Sequence, residues 1–162
     1  MTSACCKNKK TMKRHILSIA ALLIVCIGYL SCNKHDNIYF ADLPSTAQAF
    51  LQKYFPDNLV ASAERHSDEP CFEVTLDNGF EIDFYSDGRW QEIESHHAIL
   101  PAELVQGVLP EKIRSYLEEN YPLAAISSIE RSSVGYAIEL DVTPTTYIFF
   151  DLEGNVAAYE EH

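Results

Sequence analysis

The sequence predicts an α+β fold of two tandem units, each a helix followed by a four-stranded antiparallel sheet, with the helices on one sheet face and the other face open. Three observations predict it. An ordered set of residues recurs at a fixed separation, two proline-bounded stretches carry apolar side chains on one helical face, and several runs alternate apolar with polar residues.

The recurrence comes first, because a period of this size changes how everything else is read. Leu43-Pro44, Phe50, Leu51, Phe55-Pro56 and Glu64-Arg65 return sixty-six residues later as Leu109-Pro110, Tyr116, Leu117, Tyr121-Pro122 and Glu130-Arg131. Phe84 and Asp87-Gly88 then fall opposite Phe150 and Glu153-Gly154, with two residues lost and two regained between them near Tyr136 and Pro144-Thr145. An ordered series with two aromatic-Pro pairs points to duplication rather than chance.

Each unit opens with a helix. Ala47, Phe50, Leu51 and Tyr54 recur at i, i+3, i+4 and i+7, which places them on one face. Pro44 suits the first turn, where its missing N–H is not needed, and Pro56 ends the run. Pro110, Ile113, Tyr116, Leu117 and Pro122 repeat the pattern. Helix propensity is modest in both stretches, so tertiary packing must hold them.

Strands follow each helix. Leu59 to His66 and Ala125 to Arg131 read as first strands. Phe72, Val74 and Leu76 then alternate with Glu73 and Thr75, and Phe80, Ile82 and Phe84 with Glu81 and Asp83, the pattern of a sheet buried on one side only. Parity selects the turns. A three-residue loop, Asp77-Asn78-Gly79 with Gly79 left-handed, pairs Leu76 with Phe80 and Val74 with Ile82. A two-residue Asp87-Gly88 loop pairs Ile82 with Ile93 inside and sets Tyr85 opposite Trp90 outside; a three-residue loop there would bury Trp90. In the second unit the same logic puts Ile148 and Tyr159 inside, and Tyr147, Phe149 and Val156 outside. Nothing in the residues decides whether the two units share one sheet.

Ahead of the first unit, Lys13 and Arg14 precede an uncharged, largely apolar run from Ile16 to Leu30. It has the length of a signal-peptide core and is short for a membrane span. Ser31-Cys32 at its end resembles a lipoprotein cleavage box, which makes Cys32 the candidate lipidation site, although Tyr29 departs from that pattern. Met12-Lys13-Arg14 reads as the natural start. The organisation is thus a signal segment over 1–31, an N-terminal linker over 32–42, a first repeat over 43–95, a connector over 96–108 and a second repeat over 109–162. The expected location is exported: a periplasmic or outer-membrane lipoprotein, alternatively a secreted protein, with a retained membrane helix as the third possibility.

Removing residues 1–31 removes five of the 12 Lys and Arg and none of the 24 Asp and Glu, so the remaining chain carries a net charge of −17. Such a surface repels nucleic acid and anionic lipid, and leaves membrane contact only to a lipid anchor at Cys32. Of the five cysteines, Cys32 and Cys71 remain after processing. With Cys32 lipidated, Cys71 is a free thiol on a strand; otherwise a disulfide between them is open in an oxidising compartment.

The order of helix and four tight-turned strands, twice over, with Leu-Pro openings, aromatic-Pro helix ends and Asp87-Gly88-Arg89-Trp90 after the third strand, resembles the PepSY-like, β-lactamase-inhibitor-like family of exported bacterial proteins. The resemblance spans Leu43 to Tyr159. It implies a fold like that of β-lactamase inhibitory protein, with helices over one sheet face and the other face open to a partner. It carries no catalytic residues.

The residues themselves also offer little for catalysis or for a bound cofactor, and none is expected. There is no Gly-x-Ser-x-Gly elbow, no His-Glu-x-x-His helix and no phosphate-binding glycine loop. His96-His97 with Glu92 and Glu94 offer metal-ligand types, but neighbours on an extended chain point opposite ways, so they read as solvated residues entering the connector. The acidic turn from Asp83 to Gly88 lacks the spacing and closing Glu of a calcium loop, which leaves Asp87-Gly88 as turn chemistry.

What remains is the open sheet face. The candidate partner-binding residues are Glu73, Glu81, Asp83, Tyr85, Trp90, Tyr147 and Phe149, with Thr75, Glu92, Glu139, Asp151 and Val156 beside them. Aromatic rings supply burial while carboxylates select a basic protein surface. The expected function is a non-catalytic cell-envelope binding protein, an inhibitor or modulator of such a partner. The alternative is a cation-responsive or sensory accessory protein, because Glu73 faces Asp83 across two strands and like charges there cost stability unless a cation relieves them.

Overall fold

The computed structural model describes residues 35–66, 71–95 and 98–162. The apolar run, Cys32 and His96-His97 lie outside these residues. Nine strands form one antiparallel sheet in chain order: β1 (His35–Asn37), β2 (Val60–His66), β3 (Cys71–Leu76), β4 (Phe80–Tyr85), β5 (Trp90–Ser95), β6 (Ala125–Arg131), β7 (Gly135–Asp141), β8 (Thr146–Asp151) and β9 (Val156–Glu161). Among the described residues three α-helices, α1 (Ser45–Tyr54), α2 (Ala102–Val108) and α3 (Glu111–Asn120), each start directly after a proline, Pro44, Pro101 or Pro110.

The core lies between the helices and one sheet face. Ala47 and Leu51 of α1, Leu104 of α2, and Ile113 and Leu117 of α3 are buried against strand residues in a single cluster. On the sheet side one row of cross-strand partners runs Ala63, Val74, Ile82, Ile93, Ile129, Ile138, Ile148 and Tyr159. Edge-to-face rings join helix to sheet in both halves, Phe50 on Phe84 at 5.7 Å and Tyr116 on Phe150 at 5.5 Å.

Several expectations hold. The first-strand positions are as read, and the β3–β4 loop has three residues, with Val74 opposite Ile82 and Gly79 left-handed at φ 85°. Others differ. The connector contains α2, and the linker before Leu43 contains β1. The residues leave open whether the units share one sheet, and the described strands form one continuous sheet because β5 pairs with β6 through Ile93 and Ile129. Of the two states left open for Cys71, the disulfide is the one present, with its partner outside the described residues.

The loop length at Asp87-Gly88 also differs, and with it the place of Trp90. The β4–β5 loop has three residues, since the Tyr85 N–H bonds to the Arg89 carbonyl at 2.9 Å and the Gly88 N–H to the Tyr85 carbonyl at 2.8 Å. Trp90 therefore pairs with Phe84 and enters the core, 8% exposed. A bulge at Gln91 absorbs the extra residue and restores Ile82 opposite Ile93. Parity predicted one register for the whole hairpin, and a bulge is the device that lets two registers coexist. The β8–β9 hairpin has the same break, so Val156 pairs with Phe150 on the helix side. Tyr159 does sit in the inner row, yet it is 65% exposed because β9 is the sheet edge.

The β4–β5 turn also seats α1. A Cβ on Gly88, whose φ is 80°, would lie 2.8 Å from the Ala47 nitrogen and 2.8 Å from Pro44 Cβ. Both the left-handed backbone and the close approach to the helix start require glycine. Gly88→Ala is expected to lower stability by about 1–3 kcal/mol, measured by chemical denaturation, whereas Ser86→Ala in the same exposed turn leaves it within about 0.5 kcal/mol.

Candidate functional site on the open sheet face

The inner row dictates the outer one. Residues beside the buried aliphatic positions point the opposite way, and on β2 to β6 the first outer row reads Glu64, Glu73, Asp83, Glu92, Glu130, each opposite the next. It continues as Ala137, Phe149 and Ala158 on β7 to β9. A second outer row reads Ser62, Thr75, Glu81, Glu94, Ser128, Glu139, Tyr147 and Glu160. Adjacent strands lie about 4.8 Å apart, so five carboxylates stand in line at that spacing and two more flank them.

Asp83 occupies the middle of this array. It is 9% exposed, and its Oδ1 is shut off from water with no hydrogen-bond partner. Burial, then the charges of Glu92, Glu73, Glu81 and Glu94, push its pKa up to about 8. Burial penalises the charged form and each neighbouring carboxylate adds to that. The Glu73 carboxylate lies 3.5 Å from His66 Nε2.

One carboxylate oxygen each from Glu73, Glu81 and Asp83 lie within 4.8 Å of one another. An all-oxygen donor set with an open side for water suits a hard divalent cation such as calcium; zinc and copper favour nitrogen and sulfur donors. The chemistry the arrangement supports is capture of positive charge.

The structure separates the other candidate residues from this cluster. Tyr85 is half-buried and its hydroxyl donates to the Arg131 carbonyl at 3.0 Å, which ties β4 to β6 across the bulged start of β5. Trp90 is in the core. Tyr147 and Phe149 do lie on the outer face, but on β8, four strands or about 19 Å from Asp83. Burial and a hydrogen bond to Glu139 push the Tyr147 hydroxyl up to about 12. Asp87 proves to be turn chemistry: it accepts the Arg89 N–H at 3.0 Å, which with the Arg89 side chain holds its carboxyl below the usual range.

Two members of the row, Glu64 and Glu130, were not among the sequence candidates. The signal was present, since both belong to the recurring Glu-Arg pairs. Their outward direction depends on bulges at Ala61 and Ser127, and their place in one line depends on the β5–β6 junction.

Comparisons with known proteins fit this architecture. The family model described as "Putative beta-lactamase-inhibitor-like, PepSY-like" matches residues 70–158, more than half the chain. No curated protein matches the sequence. Among solved structures, a protein from Bacteroides vulgatus described as a "putative periplasmic protein" of the DUF2874 family is 31% identical with a TM-score of 0.73, over 80% of this chain and 99% of that one. A "putative calcium-regulated periplasmic protein" from Bacteroides thetaiotaomicron is 31% identical with a TM-score of 0.71, over 78% of this chain and 97% of that one. A third, also from Bacteroides vulgatus and of unknown function, shares the fold at 24% identity and a TM-score of 0.70, over 79% of this chain and 100% of that one. With a matching family model and two neighbours at this identity over nearly their whole length, the chain belongs to the PepSY-like, beta-lactamase-inhibitor-like family.

Proposed function

We propose that this chain is a non-catalytic protein of the cell envelope whose open sheet face binds a divalent cation of the calcium type through Glu73, Glu81 and Asp83. The buried, unpartnered Oδ1 of Asp83 carries the reading, because a carboxylate so placed gains more from a cation than any neighbour can supply. The relative described as calcium-regulated supports the choice of ion. Two relatives described as periplasmic support export, as does the disulfide at Cys71, a bond that persists in oxidising compartments. Lipidation of Cys32 and a bridge between Cys32 and Cys71 exclude each other, and labelling with radioactive palmitate distinguishes them.

A second reading keeps the same face for a protein partner with a basic surface, which the chain would inhibit or modulate. The apolar continuation of the acidic row through Ala137, Phe149 and Ala158 favours it. Loss of Trp90 from the surface weakens it, since the largest aromatic anchor is gone. On the origin of the fold, we read the 66-residue offset between α1 and α3, repeated at the bulges Gln91 and Ala157, as support for a duplicated unit.

Two measurements test the cation reading. Because the folded-state pKa of Asp83 is raised, its proton is held in the folded protein and released from the unfolded chain between pH 3.8 and about 8. Asp83 therefore makes stability fall as pH rises through that window, by up to about 1.4 kcal/mol per pH unit, levelling above it. Asp83→Asn is expected to remove that slope; identical pH profiles for both proteins would show that Asp83 is not perturbed. A bound cation must displace the same proton, so calorimetric affinity for calcium should rise by up to about tenfold per pH unit below pH 8 and vanish in Asp83→Asn. Absence of heat and of any change in melting temperature with calcium or magnesium would discard the proposal.

A further inference from the structure

On the opposite side of the sheet, a groove of about 320 Å³ opens between α2, α3 and strands β6 and β7. Val105, Leu117, Ile126 and Leu140 make its walls apolar, and Arg114 and Glu118 of α3 are its charged members. It lies apart from the acidic rows, its lining includes the core residues Leu117 and Leu140, and its volume falls at the lower end of small-molecule sites.

Arg114 distinguishes the groove from a packing defect. The other side-chain cations of the described residues are engaged: Lys53 lies 4.6 Å from the Tyr54 ring centre, Arg65 3.5 Å from Asp36, Arg89 2.7 Å from Asp87 and Arg131 5.8 Å from the Trp90 ring centre, while Lys112 bonds Asn155. Arg114 has no such partner among the described residues, and its Nε is shut off from water without a hydrogen bond. Glu118, one helical turn on, is exposed and forms no ion pair with it. A guanidinium donor left in this state costs free energy until an anion reaches it. In a chain carrying 24 acidic residues against 12 basic ones, an unpaired arginine beside an apolar groove is a specific complement.

We propose that this groove binds a small anionic amphiphile, with its carboxylate on the Arg114 guanidinium and its apolar chain along Val105, Leu117, Ile126 and Leu140. The planar donor fork of arginine matches a carboxylate, and the apolar walls match a hydrocarbon chain. The site is independent of the cation reading, since it uses other residues on the other face.

Calorimetry on the full chain with decanoate, decanol and decyltrimethylammonium, each below its micelle concentration, tests the proposal. Decanoate is expected to bind saturably and raise the melting temperature, with decanol weaker and decyltrimethylammonium without effect. Arg114→Gln should weaken decanoate by at least about tenfold without lowering the melting temperature of the free protein. Val105→Trp, which fills the groove, should abolish binding while Arg114 stays in place. Equal decanoate binding by the three proteins would mean that it associates elsewhere on the chain, and would overturn the proposal, as would no binding or equal affinity for decanol.

Discussion

Six aliphatic side chains in one line, Val74, Ile82, Ile93, Ile129, Ile138 and Ile148, pack beneath the helices with no exposure to water, each on its own strand and each opposite the next. Removing each from water contributes roughly 1.5–3 kcal/mol, and register makes the contributions interdependent. A slip of one residue at any strand pair would bring carboxylates under the helices and put isoleucines into water. The Ile93–Ile129 pair is the critical link, because it joins β5 to β6 and so makes one sheet of the two halves.

The electrostatics of the other face follow from that constraint. Side chains alternate along a strand, so a fixed inner line forces a fixed outer line, and here the outer line carries Glu64, Glu73, Asp83, Glu92 and Glu130 at strand spacing. Like charges directly opposite one another are destabilising. The cost concentrates on Asp83, which has carboxylates on both neighbouring strands and is the most buried of the set. The fold tolerates it because the burial on the helix side is far larger, and because Asp83 can hold a proton. Stability and cation affinity are therefore linked through one group: what relieves Asp83 also tightens the sheet.

Helices α1 and α3, the three-residue β3–β4 turn and most strand limits could be read from local chemistry, whereas α2 and the loop length at Asp87-Gly88 could not. Prolines marked helix starts, i to i+7 spacing marked the buried faces, and Gly79 marked a left-handed loop. Bulges could not be read in the same way. Gln91 looks like any polar strand residue, yet by standing unpaired it turns Trp90 inward while leaving Ile93 where alternation put it. The carboxylate pair Glu73 and Asp83 was legible because it lies within one hairpin. Its extension to Glu130 was not, because that contact spans a helical connector and depends on which strand edges meet.

The sequence by itself determined the element types, the alternation of each strand, and the excess of acidic groups that any outward face would carry. These are properties of residues and their near neighbours, where periodicity and proline or glycine geometry act over a few positions. Only the tertiary structure decided that β5 and β6 pair, that five carboxylates fall into one row, and that Arg114 is left without a partner among the described residues beside an apolar groove. Those outcomes arise from long-range pairing, in which burial of the whole inner face sets the register and each local polar group takes whatever environment results.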